Sequence, residues 1–97
     1  MDYVLLSIPK GKSGALGRIV QDDLVSRQTI AVREASGLGM EGDDTYVLIE
    51  GSDQSLKKAV ELLGDDGSTV VEGKEEIYTR IKKAEDEVAE GLGLMFG

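Results

Sequence analysis

The sequence predicts an α+β sandwich: a four-stranded antiparallel sheet carrying two helices, with a further helix added at the C-terminal end. Three observations predict it. Apolar, β-prone runs recur near residues 3–8, 29–35, 45–50 and 68–72. Apolar residues at helical spacing fill the gaps between the first and second runs and between the third and fourth. A third helical pattern follows the last run.

Tyr3-Val4-Leu5-Leu6-Ser7-Ile8 is mostly apolar, which suits a central strand covered on one face at least. Pro9 ends it, because proline has no N–H to give to a ladder. Pro9 to Gly14 reads as a loop, and Ser13 as the cap of a helix beginning near Gly14. Leu16, Ile19, Val20 and Leu24 form that helix's apolar stripe, about three turns long, ending near Val25 to Arg27. From Thr29 to Ala35 the chain alternates, with Ile30 and Val32 on one side and Thr29, Ala31 and Arg33 on the other. Gly37 to Asp44 is rich in turn residues and reads as a flexible connection. Thr45 to Glu50 is the next strand, pairing with the previous one as a hairpin. Ser52 or Asp53 caps a helix over Gln54–Leu63, with Leu56, Ala59, Val60 and Leu63 as its stripe and Gly64 as its left-handed C-cap. Ser68 to Glu72 is the fourth strand. The last helix runs from Lys74 to about Glu90, with a narrow seam of Ile77, Ile81, Ala84 and Val88. The tail Gly91–Gly97 is apolar yet broken by glycine, and is expected to dock somewhere.

Two strand–helix–strand halves around a central hairpin make the ferredoxin-like βαββαβ arrangement. Residues 1–72 form this core, and residues 73–97 form the added helix and tail, packed on the core or on a partner subunit. Strands this apolar need cover on both faces of the sheet.

The inventory bounds the chemistry. In 97 residues there is no cysteine and no histidine, the net charge is −8 and aromatics make up 4%. A zinc site, a catalytic triad and a cysteine nucleophile cannot be built from these residues. The acidity disfavours nucleic acid and anionic membranes as partners. No apolar run approaches the length of a membrane span and no signal-peptide pattern is present, so a cytoplasmic location is expected. No metal or cofactor is expected, and no enzymatic activity. Gly11-Lys12-Ser13 follows a strand and opens a helix as a P-loop does, but Leu6 stands where that motif needs its first glycine. The pairs Asp22-Asp23, Asp43-Asp44 and Asp65-Asp66 lack the alternate spacing of a calcium loop, and the last two adjoin glycine as turn residues do.

One positive feature remains on this acidic chain. Lys10, Lys12 and the start of the first helix make a local cationic spot suited to an anion. The stretch Ile8-Pro9-Lys10-Gly11-Lys12-Ser13-Gly14-Ala15-Leu16-Gly17-Arg18-Ile19 resembles the opening of an ACT domain, where a strand runs through a loop into a Gly-Ala-Leu-x-x-Ile helix start. The similarity extends more loosely over residues 3–72, and includes Tyr46 to Asp53 and Leu56 to Leu63. The Asp-x-Pro-Gly common in that family reads Lys10-Gly11-Lys12-Ser13-Gly14 here. The resemblance implies the ferredoxin-like fold, a homo-oligomer, and a regulatory module that binds an amino-acid-like carboxylate between the first strand and first helix. It implies a site at Lys10, Lys12, Ser13, Gly14, Ala15 and Leu16. The alternative is a non-catalytic assembly protein acting through its C-terminal helix and tail.

Overall fold

The computed structural model describes residues 2–84. The predicted C-terminal end of the last helix, with Val88, and the tail Gly91–Gly97 lie outside the described residues. Four strands, β1 (Asp2–Ile8), β2 (Thr29–Glu34), β3 (Thr45–Gly51) and β4 (Ser68–Thr69), form one open antiparallel sheet in the order β2-β3-β1-β4. Helices α1 (Ser13–Gln21) and α2 (Asp53–Leu63) supply the two connections, and a third, α3, is described over residues 74–84. The α+β class and the four-stranded antiparallel sheet agree with the sequence reading.

Alternation along the strands builds two cores. Leu6 and Ile8 of β1 and Val47 and Ile49 of β3 face α1 and α2, where Ala15, Ile19, Leu56, Ala59 and Leu63 meet them. Ile30 and Val32 pack against the same cluster. On the opposite face Leu5, Ala31 and Leu48 lie under Ile77 and Ile81 of α3. Ile81 is fully buried. Ile77 and Ile81 of the predicted seam thus rest on the chain's own sheet.

Several boundaries differ from those the sequence predicts, each for a local reason. Helix α1 stops at Gln21 rather than near residue 25, because Asp22 turns extended (ψ 136°). Its carboxylate then accepts the N–H groups of Leu24 and Val25, both at 3.0 Å, and opens a separate 3-10 turn, Val25–Arg27. Val25 enters the core in place of the expected Leu24, and Val20 is left partly exposed. Ser13 begins the helix instead of capping it: Lys12 holds the N-cap position and no side chain caps α1. Helix α2 is capped as expected by Ser52, which accepts the Ser55 N–H, but Val60 of its predicted stripe is exposed. Gly64 has a positive φ of 58° with ψ −133°, outside the left-handed helical region expected for it. Strand β4 is two residues long rather than five, and Val71 is 76% exposed. The connection between β2 and β3 holds a 3-10 helix, Ala35–Leu38, that buries Ala35 and Leu38.

The edges of the sheet are unequal. The Ala35 N–H donates to the Asp44 carbonyl at 3.0 Å, which places Arg33 and Ala31 in bonded pairs with β3 and turns the backbone of Ile30, Val32 and Glu34 outward. Among the described residues no strand pairs with that border. The Arg33 guanidinium donates to the outward Val32 carbonyl at 2.7 Å.

Candidate functional site

The register brings three strand ends side by side. Ile8, the last residue of β1, stands opposite Thr45, the first of β3, which stands opposite Glu34, the last of β2. Beyond this end of the sheet lies a cleft of about 430 Å³. Its one wall is the β1–α1 turn, with Pro9, Lys10, Gly11, Ser13 and Leu16. The other wall is the end of β2, Glu34, and the β2–β3 connection, with Ala35, Ser36, Gly42 and Asp43.

The turn is fixed by its sequence. The Lys12 N–H donates to the Pro9 carbonyl at 3.1 Å, closing a four-residue turn. Gly11 occupies its third position with φ 93°, a value a type II turn demands there and a side chain opposes. That geometry puts Lys10 at the tip of the turn and starts α1 immediately afterwards. The Ala15 N–H donates to the Lys12 carbonyl at 3.0 Å, and with no side-chain cap the N–H groups of Ser13 and Gly14 are left to solvent or to a ligand.

The predicted site residues divide. Lys10, Ser13 and Leu16 line the cleft together. Lys12 and Gly14 are exposed beside it without lining it, and Lys12 adds to the attraction that acts on Asp66. Ala15 is fully buried in the core beneath α1, so its side chain faces away from any ligand. Gly14 is not required by crowding: a Cβ there would meet only Arg18 Nη1, at 3.9 Å.

Sequence reasoning missed the opposite wall. Asp43 comes from the segment read as a flexible connection and Glu34 from the end of the predicted second strand, and only the strand register carries them together to the cleft. The two aspartates of that segment have separate roles. Asp44 accepts the hydroxyl of the nearly buried Ser7 at 2.9 Å, whereas Asp43 faces the cleft. Lys10, Glu34 and Asp43 make no ion pair with one another or with any other residue among those described.

A second, more apolar groove lies by the start of β1, between Tyr3, Val4, Leu56 and Val60. It carries no converging polar groups beyond Lys57 and Glu61 on its rim. Among the described residues no three carboxylates gather as a metal site would require, and no helix is long and apolar enough to cross a membrane. The chain matches no protein-family model, no curated protein and no solved structure.

Proposed function

We propose that this chain is a non-catalytic, ACT-like regulatory module that binds a small amino-acid-like carboxylate in the cleft between the β1–α1 turn and the β2–β3 connection. The observation that carries the reading is the convergence of Lys10, Ser13 and Leu16 in one cleft at the uncapped start of α1. A lysine and a helix N-terminus both favour an anion, and the hydroxyl of Ser13 adds a donor. Pro9 and Leu16 give the cleft apolar surface for the rest of the ligand, with the buried Ile8 and Ala35 beneath them.

The sheet order supports a ferredoxin-like reading of the fold. The first and third strands are central, the second and fourth are at the edges, and both connecting helices pack on one face. A cytoplasmic, homo-oligomeric protein completes the proposal, with no nucleic-acid or membrane partner. The net charge of −8 is its ground for the partners.

The test is a thermal-shift screen of the purified chain against amino acids and other metabolite carboxylates, with molar mass from light scattering on the same sample. A ligand bound to the folded state alone must raise the melting temperature, by about 2.7 kcal/mol of added stability at a hundredfold excess over Kd. Lys10→Glu should abolish the shift while leaving the unliganded Tm nearly unchanged, because Lys10 is exposed and unpaired. A shift of equal size in wild type and Lys10→Glu would refute the site.

A further inference from the structure

The two walls of the cleft carry opposite charge. Lys10 stands on the β1–α1 side, and Glu34 and Asp43 stand on the β2–β3 side. Glu34 is two strands away from Ile8, across Thr45, which sets the backbones of the two walls about 10 Å apart. Opposite charges that face one space without pairing leave room between them for a molecule that satisfies both. Other carboxylates near this end are engaged: Asp44 holds the Ser7 hydroxyl, and Asp66 is paired with Arg18.

This arrangement is poor for a simple anion. Two carboxylates against one lysine make the charged lining net negative, on a chain whose net charge is already −8. A dicarboxylate or a phosphate would meet more repulsion than attraction across the cleft. A ligand with a carboxylate at one end and a cation at the other meets attraction at both. Pro9 and Leu16, on the Lys10 side, offer the apolar surface that would hold an uncharged side chain.

Resting on the site proposed above, the geometry points to Glu34 and Asp43 as the residues that recognise the ammonium group of a zwitterionic α-amino acid. Lys10 and the first turn of α1 take its carboxylate. Specificity therefore comes from the end of β2 and from the β2–β3 connection. The acidic wall rejects the corresponding 2-oxo acid, which keeps the carboxylate but offers no cation. The same wall cannot by itself hold an amino-acid amide, which keeps the cation but gives Lys10 no charge to bind.

The experiment is isothermal titration of the full chain with a panel of L-amino acids, each beside its 2-oxo acid and its amide. Wild type and the double variant Glu34→Gln/Asp43→Asn are compared. Both positions are exposed, so the double variant should keep the fold, and its unliganded melting curve verifies this. In wild type the amino acid should bind at least tenfold tighter than its 2-oxo acid and its amide. In the double variant the amino acid should weaken at least tenfold, while the 2-oxo acid binds as well as before or better. Equal binding of amino acid and 2-oxo acid by wild type would overturn the assignment of the acidic wall. So would discrimination that survives in the double variant. In either case, binding that is lost in Lys10→Glu would leave the site itself standing. No binding of any member of the panel would overturn both.

Discussion

The ring of Tyr78 on α3 lies 4.5 Å from that of Tyr3 on β1, centroid to centroid, at an interplanar angle of 34°. The Tyr78 hydroxyl also donates to Glu50 of β3 at 3.3 Å, and Glu50 in turn is ion-paired with Lys82. One turn of α3 is thereby joined to the two central strands by ring contact, hydrogen bond and charge. Aromatic pairs of this kind contribute about 0.5–1.5 kcal/mol beyond the area they bury. Tyr78→Leu should cost about 1–2 kcal/mol in urea unfolding, and Tyr78→Phe no more than half of that. Equal losses would show that the hydroxyl, not the ring pair, holds the helix.

Ile81 tests whether α3 belongs to its own sheet. It is fully buried against Leu5, Ala31 and Leu48. Ile81→Ala should lower stability by about 2–5 kcal/mol through lost burial and the cavity left behind. The loss should be the same at low and high protein concentration, since the partner surface is in the same chain. A destabilisation that vanishes on dilution would place the contact between subunits instead.

Arg18 ties the first helix to the end of the second. It donates to the carbonyls of Leu62 (3.1 Å) and Leu63 (3.4 Å) and to the Asp66 carboxylate at 2.7 Å. The hydrogen bond from Arg18 holds the Asp66 carboxyl below its ordinary value of 3.8, with the charges of Arg18 and Lys12 adding and partial desolvation opposing. A carboxyl depressed in the folded state contributes stability above its unfolded pKa and loses it as pH falls through the folded one. Asp66→Asn should therefore flatten the fall of Tm on acidification below pH 3.8 and change Tm little at neutral pH, where the exposed pair is screened. An unchanged acid limb would remove Asp66 from the account.

Two glycines should respond oppositely to alanine. At Gly14, in the first turn of α1, a Cβ has open space, and alanine should raise stability by up to about 0.5 kcal/mol. At Gly67 a Cβ would lie 2.4 Å from the Ser7 carbonyl oxygen and 2.8 Å from a methyl of Leu63. Alanine there must push the short β4 off β1, at a cost of about 1–3 kcal/mol. Chemical denaturation of the two variants checks both signs.

What was legible in the sequence is what periodicity controls. The alternation of Ile30 and Val32 against Ala31 and Arg33 places the two faces of β2 correctly, and Ser52 caps α2 as its type and position suggest. Asp22 was misread because an aspartate inside an apolar pattern looks like a helix surface residue, while its short carboxylate competes for backbone N–H groups and ends the helix. Leu38 was hidden in a glycine-rich stretch whose one 3-10 turn is too short to show a period. Half of the cleft was visible, since Lys10, Ser13 and Leu16 are contiguous with the turn. Glu34 and Asp43 were not, because strand register, a long-range property, is what brings them there.

The bond from Arg33 to the Val32 carbonyl has a consequence for how the protein behaves when crowded. An open strand border of alternating apolar residues is a template on which another chain can lay a strand, the first step toward aggregates. Here the central outward carbonyl of β2 already has a charged donor at 2.7 Å, and the guanidinium stands where an incoming backbone would need to lie. A second chain could add to β2 only by displacing it. Arg33 thus serves as a gatekeeper for the whole fold, and a chain carrying Ala at this position would be the one to precipitate first.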